Sequence, residues 1–520
     1  MKLMNRNRLP LASYRHLFAS VAEEMGEALR QSAVSPNVKE RRDYSCALLD
    51  AQGRLVAHAA HIPVHLGSAH LTVPAVLKEI KIGRGDVIVL NDPHRGGTHL
   101  NDVTVVAPLE AGGRRLGYLL DRAHHADVGG AEPGSLAGAT DLYGEGLCLP
   151  PVHLLRRGRR VEEVWRIFAA NTRDPAARRA DLEAQCAALH RGQVRFGELV
   201  ARFGRGALGQ AMRDLLTHGR RQATALLRSW PDGSGRAADF LDGPGTPRIA
   251  CAVRKRGARI VFDFSGSSPQ VPGSWNTHRA VTLSAVFYVL RTLAPEELPE
   301  TSGVLEAVDL VLPTASVLAS EAPAGVAAGN TETSQRIVDV IYLALTGLLG
   351  ERIPAASQGT MNNVCFGGRR ADGSEFVHYE TIGGGAGAGP RGPGASALQV
   401  HMTNTRNTPG EVFEQDVPVR VTRLAVRRGS GGAGLHRGGD GMVKEWEFLV
   451  PTRVSIMDTR RLSCPWGAAG GGPGRAGADW LLHGGRRRQL GPGSLFTAQP
   501  GDRLRVATPG GGGWGARERG

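Results

Sequence analysis

Residues 91–134, NDPHRGGTHLNDVTVVAPLEAGGRRLGYLLDRAHHADVGGAEPG, gather four histidines and four aspartates into two short turns joined by hydrophobic, strand-like sequence. His99 and Asp102 stand at the first turn, and His124, His125 and Asp127 at the second. Imidazole and carboxylate are the ligands that divalent transition metals take where no thiolate is offered. Two histidines and one aspartate form a facial set that leaves coordination positions open for water or substrate. His99-x-x-Asp102 supplies two ligands from one turn. A hairpin returns its far ends to one sheet edge, so the third can come from the His124-His125 pair. Adjacent strand residues point to opposite faces, so only one of these two meets the same metal easily, and the other can orient a ligand from behind.

Other segments carry weaker signals. His61 and His65 have the four-residue spacing of a helix face, but Pro63 between them argues against a helix, and the pair reads at most as a wall of the same site. Thr331-Glu-Thr-Ser-Gln-Arg336, after Gly329-Asn330, reads as a capped helix start or as an anion or amide site at its positive end, with Glu332, Gln335 and Arg336 as substrate contacts. Asn362, in Gly359-Thr-Met-Asn-Asn363, is a further candidate to grip an amide, although turn chemistry explains it too. Gly387, Gly389 and Gly392 match G-x-G-x-x-G, but Pro390 lies inside the match and no helix follows, so a dinucleotide fold is not indicated. Neither a phosphate-binding G-x-x-x-x-G-K-[ST] loop nor a G-x-S-x-G elbow occurs, which disfavours ATP use by this chain alone and serine hydrolase chemistry.

These residues need a scaffold. Apolar positions at helical spacing predict a helix over 12–33. Strand-like runs follow at 44–49 and 55–57, with a helix near 73–80. Strands at 87–90, 103–107 and 117–120 put the metal candidates at strand ends. A helical region covers 162–229, with Asp174 or Asp181 as caps. Beyond it come a hairpin over 249–264, helices at 277–293 and 331–349, and short strands between Gly, Pro and Asp turns from 410 onward. The fold class expected is α+β, mixed α/β and multi-lobed: a metal-bearing lobe over 1–235, a central lobe over 236–410, and a β-rich region over 411–520.

Composition narrows the classes. A net charge of +14 raises the question of nucleic acid, but only six residues are lysine, and the arginines are scattered without aromatic partners, so none is expected to bind. The six cysteines form no C-x-x-C, and neither a disulfide framework nor a zinc ribbon is indicated. The N-terminus lacks an apolar signal segment and no run approaches about 20 apolar residues, so a cytoplasmic protein with no membrane span is expected. Glycine, 71 of 520 residues, is used at about twice the average rate and clusters in the second half.

The runs NDPHRGGTHLNDVTVVAP and DRAHHADVGGAEPGS resemble the hydantoinase B family, and so do HIPVHLGS, NTRDP, DFSGSSPQV, GNTETSQRIVD, QGTMNN, YETIGGGAGAGP, HMTNTRNTP, SGGAGLHRGGDG and TPGGGGWG. These span almost the whole chain. The family holds the B subunits of N-methylhydantoinases, the matching half of 5-oxoprolinase, and larger subunits of acetone and acetophenone carboxylases. The chain departs from the pattern at His94, Cys148 and His153. The resemblance implies an ATP-dependent cyclic amidohydrolase in a hetero-oligomer. A hydantoinase A-type ATPase partner phosphorylates the carbonyl oxygen of a lactam or hydantoin, and the B subunit opens the ring. It also implies a divalent metal (Zn, Mn or Fe) on His99, Asp102 and His124, behind which His125 or Asp127 orients a ligand or takes a proton. The alternatives are a ketone carboxylase subunit and a non-catalytic assembly subunit.

Overall fold

The computed structural model describes residues 9–59, 61–136 and 138–516. Its first half is built on a seven-stranded antiparallel sheet of β1 (Tyr44–Asp50), β2 (Leu55–His58), β3 (Val87–Leu90), β4 (Asp102–Ala111), β5 (Arg114–His124), β6 (Val152–Arg156) and β7 (Arg159–Arg160), in the order β2-β1-β5-β4-β3-β6-β7. Strand side chains alternate between faces, and both faces of this sheet are covered. Cys46, Leu48, Val103, Val105 and Leu119 pack beneath the Leu11–Ser32 and Pro175–Phe203 helices. Ala47, Leu49, Val106 and Leu120 face the Ala69–Glu79 and Arg279–Leu293 helices. The near-continuous hydrophobicity of these strands follows from that double cover.

The 162–229 region resolves into three helices, Glu162–Ala170, Pro175–Phe203 and Arg205–Ser229. Asp174 caps the second, accepting from Ala177 N with Pro175 at the first helical position. Asp181 lies mid-helix instead, and its carboxylate accepts Val34 N and Ser35 N, tying down the end of the first helix.

A four-stranded sheet follows: β8 (Gly233–Phe240), β9 (Arg248–Arg256), β10 (Arg259–Asp263) and β11 (Val308–Val311), with β10 and β11 parallel and the Ser334–Leu349 helix packed on β8 and β9. The next strands are β12 (Asn363–Arg369), β13 (Glu375–Thr381), β14 (Val419–Arg427), β15 (Gly441–Phe448), β16 (Thr452–Met457), β17 (Ala478–His483), β18 (Arg486–Leu490), β19 (Leu495–Ala498) and β20 (Arg503–Ala507). They form two sheets, β13-β12-β16-β19 and β14-β15-β20-β17-β18, which share an apolar core around Phe366, Trp446, Phe448, Ile456 and Val506. β12, before residue 410, thus pairs with β16 beyond it, and β13 joins the same sheet through β12.

The glycine clusters pack against one another as extended segments, backbone to backbone. Gly439 N donates to Ala386 O at 2.9 Å, Gly511 N to Gly439 O at 2.9 Å, and Gly432 N to Gly511 O at 2.8 Å. A Cβ at Gly511 would run into Ala386 O, and one at Gly439 into Ala395 O, so no side chain fits between these segments. Of the G-x-G-x-x-G match, Gly387 is packed in this way, against Ala355 O, whereas a Cβ at Gly392 would meet nothing within 4 Å.

Candidate metal centre

β4 starts at Asp102 and β5 ends at His124, and the register pairs these two residues directly. Directly paired residues project from the same face, so both side chains leave one end of the sheet together. His99 joins them through a turn closed by Asp102 N donating to His99 O at 3.0 Å. Each of the three offers a ligand atom, and these atoms lie within 4.8 Å of one another, the only such cluster among the described residues. His99 Nδ1 is 2.8 Å from Asp102 Oδ2, and His124 Nδ1 is 3.4 Å from Asp102 Oδ1. His99 Nε2, His124 Nε2 and Asp102 Oδ1 are buried and have no hydrogen-bond partner among the described residues. A buried polar atom without a partner costs about 1–3 kcal/mol, so a trio of clustered, incompletely bonded side chains suits a cation.

The surrounding residues load one oxygen of Asp102 and leave the other open. Thr98 Oγ1 donates to Oδ2 at 2.5 Å, Asn330 Nδ2 donates at 3.2 Å, and His65 Nε2 lies 3.0 Å away. His65 is held in turn by Ser45 Oγ at 2.9 Å. Burial alone would raise the Asp102 carboxyl, but His99, His65 and the His124 hydrogen bond outweigh it and hold it well below the usual range. Burial lowers His124 despite its bond to Asp102, which keeps a ring lone pair available. The Tyr379 ring stacks on His124 at 4.5 Å, with the Arg41 guanidinium 4.6 Å from the Tyr379 centroid. Ile62, Val64, Met361, Met402, Thr331 and Thr403 help enclose a cavity of about 20 Å³, room for one water-sized occupant.

Other expected site residues sit elsewhere. His125 points to the opposite sheet face, where its Nε2 meets Gln185 Oε1 at 3.0 Å and its ring meets Phe168 edge-on. Strand alternation forces this once His124 faces the site. Asp127 closes a turn: its carboxylate accepts Gly129 N, Gly134 N, Arg173 N and Arg173 Nη1. Neither lines the cavity. Glu332 accepts Met361 N, Asn363 Nδ2 and Thr459 Oγ1, and Gln335 donates to Val400 O. Arg336 bonds Phe240 O and Thr459 Oγ1, while Asn362 bonds Gln358 and Ile382 O and accepts from Arg461. Of these four, Glu332 braces the cavity wall through Met361, and the other three tie segments away from it. Their segment does reach the site, through Asn330 and Thr331.

Gly329–Thr333 is a π-helical turn leading into the Ser334–Leu349 helix, and it is buried with no side-chain cap. An open anion site at that N-terminus is therefore ruled out by its packing. Such turns recur at functional sites because they re-aim a side chain, here Asn330. Pro63 opens a short Pro63–Leu66 helix rather than breaking one, since the first helical position needs no N–H. That helix carries His65 into the site. His61 turns away and accepts a hydrogen bond from Cys46 N.

Glu145, on the Leu142–Glu145 helix, is wholly buried. Its Oε1 accepts Ala327 N at 2.9 Å and its Oε2 has no partner among the described residues. Burial pushes its carboxyl up to about 7. An acid raised on folding contributes stability that is fully present below its unfolded value near 4.5 and is lost as pH rises towards 7. Glu145→Gln is expected to stabilise the protein by on the order of 2 kcal/mol at about pH 8 and by little at about pH 4.5, read by urea denaturation at both values. An equal effect at the two pH values would show that the buried charge is not the cause.

Two histidines and an aspartate thus lie buried together at one end of a doubly covered antiparallel sheet, against residues from 330 to 403 of the second half. The chain belongs to the hydantoinase B/oxoprolinase family, whose model matches residues 8–517. It is similar to 5-oxoprolinase 1 of Arabidopsis thaliana, 38% identical over 97% of this chain, and spans 42% of that relative's length. Its structure is similar to that of the ATP-dependent caprolactamase from Pseudomonas jessenii, with a TM-score of 0.89, 28% identity, and coverage of 97% of this chain and 90% of that one. It shares the fold of an acetone carboxylase, with a TM-score of 0.90 at 17% identity, covering 97% of this chain and 75% of that one. Among the described residues no helix is long and apolar enough to cross a membrane.

Proposed function

We propose that this chain is the B component of an ATP-dependent cyclic amidohydrolase. It opens a lactam or hydantoin ring whose carbonyl oxygen has been phosphorylated by an A-type ATPase subunit, at a divalent metal on His99, Asp102 and His124. The carrying observation is that buried His99, Asp102 and His124 bring one ligand atom each within 4.8 Å of the others, while each also holds a buried polar atom without a partner among the described residues. The similarity to a 5-oxoprolinase and to an ATP-dependent caprolactamase supports cyclic amides as the substrate class. That the chain matches 42% of the plant relative's length supports a reading in which ATP is used by a partner.

A Zn, Mn or Fe ion bound there supplies Lewis-acid polarisation and a bound water of lowered pKa. The chain's own residues do the rest. Thr98, His65 and Asn330 fix Asp102 so that Oδ1 faces the open side. Tyr379 holds the His124 ring plane, and its own hydroxyl donates to Asn363 Oδ1 at 2.8 Å. Ile62, Val64 and Met402 give the cavity an apolar wall, with the Thr331 and Thr403 hydroxyls beside it. Asp43, a second carboxylate on the cavity wall, stands 3.7 Å from Arg41 and can take a proton without giving up a bond to either histidine ligand.

The test is reconstitution with the A-type subunit. ADP formation is expected to require both chains and a lactam or hydantoin. Bicarbonate-dependent carboxylation of a ketone would move the chain to the carboxylases. Full turnover after loss of the three ligands would make it an assembly subunit.

A further inference from the structure

The metal cavity, at about 20 Å³, is too small for any ring substrate. A second cavity of about 370 Å³ lies against it, lined by His58, His61, Tyr288, Arg291, Leu298 and Asn404 among others. That is the size of small-molecule sites. The wall between the two is one backbone thick. His61, Pro63 and Asn404 face the outer cavity, while Ile62, Val64 and Thr403 face the inner one. Alternate residues over 61–64, and Thr403 against Asn404, thus line the two spaces. Between these segments run Val64 N to Met402 O at 3.2 Å and Asn404 Nδ2 to His61 O at 3.1 Å. Two such bonds are worth about 1–3 kcal/mol together, and the buried Ile62, Val64 and Met402 side chains add the cost of their exposure when the segments part.

The outer cavity's charges are already paired. Arg291 Nη1 lies 2.5 Å from Glu300 Oε1 and Arg291 Nη2 lies 3.8 Å from Glu297, which Arg15 also meets at 2.7 Å. No unpaired cation remains among the described lining residues to take a substrate carboxylate. Burial lowers His58 well below its usual value and His61 to about 4, so both imidazoles are neutral near pH 7. The His58 Nε2 atom is buried without a partner among the described residues. Together with the Asn404 amide and the Tyr288 hydroxyl, these groups suit an uncharged carbonyl and N–H.

We infer that this outer cavity is an antechamber that selects an uncharged cyclic amide and passes it to the metal cavity by parting of the His61–Val64 and Met402–Asn404 segments. The passage rests on the function proposed above; the binding does not require the metal. The probe pair is 2-pyrrolidinone and 5-oxoproline, which differ by one carboxylate on the same ring. Titration of each into the full chain, followed by ligand-observed NMR, is expected to show 2-pyrrolidinone binding about tenfold or more tightly than 5-oxoproline. Asn404→Trp and Thr292→Trp, which fill the cavity from its rim, are expected to weaken 2-pyrrolidinone by about tenfold. Asn404→Trp decides if Thr292→Trp fails to fold. His99→Ala is expected to leave this binding unchanged, so loss of the metal reading appears in metal content alone. Equal affinity for the two probes, or full 2-pyrrolidinone affinity in folded Asn404→Trp, overturns the antechamber.

Discussion

Asp102→Ala is expected to lose the metal that the purified wild-type protein retains and to cut amide-dependent turnover by about 10³-fold or more. Three effects combine at this position. The substitution removes the one anionic ligand of the set. It takes from His99, His65 and His124 the carboxylate that all three meet, leaving only Asn330, Ser45 and Tyr379 respectively to hold their rings. It also leaves Thr98 and Asn330 without their acceptor. Loss of a Lewis acid alone is worth several kcal/mol of barrier, and each 1.4 kcal/mol is about tenfold in rate. Elemental analysis and turnover with the partner subunit check this together. His125→Gln serves as the control. Its side chain lies on the other sheet face against Gln185 and Phe168, so metal content is expected to stay at the wild-type level while stability falls by about 1–3 kcal/mol. Equal metal in Asp102→Ala and wild type would sink the site assignment.

The second large effect is expected far from that centre. Gly511→Ala should destabilise the protein by about 3 kcal/mol, because the added Cβ collides with a backbone carbonyl, Ala386 O, which cannot rotate away as a side chain can. Moving that carbonyl would also disturb Gly439, whose N–H it accepts. A glycine in open space gives the opposite sign. Gly197 lies inside the Pro175–Phe203 helix, and a methyl group added there would meet nothing within 4 Å, so Gly197→Ala should stabilise by roughly 0.5–1 kcal/mol. Urea denaturation of the two variants reads both. If Gly511→Ala were no less stable than Gly197→Ala, the backbone-to-backbone packing of the glycine segments would be wrong.

His99, Asp102 and His124 could be read from sequence because their geometry is local. One turn and one hairpin with a defined register bring them together, and both leave marks in a contiguous stretch of chain. The choice of His124 over His125 was not local. Alternation says that one of them faces the site, but which face is the site depends on where the Pro175–Phe203 helix packs. The resemblance to a family, not spacing, supplied that choice in advance.

The braces of Asp102 and His124 were harder to see. Ser45 is 57 residues from Asp102 in the chain, and Asn330 and Tyr379 lie 228 and 255 residues from Asp102 and His124. Residues of common types, scattered at such separations, carry no periodic signal. The Gly329–Arg336 segment did stand out, yet its charged and amide side chains at 332, 335 and 336 turn inwards to tie packed segments together. Only the π-helical turn, invisible in residue types, aims Asn330 at the ligands.

Composition likewise disclosed many tight turns in the second half but not that glycine segments from four regions lie against one another. What the residues alone determined was that His99, Asp102 and one of His124 and His125 come together along one hairpin, because turn chemistry and strand periodicity act over a few residues. What waited for the folded chain was everything set by long-range packing: the face that became the site, the oxygen of Asp102 left open, and the one-backbone wall between a cavity for a single water and a cavity for a ring.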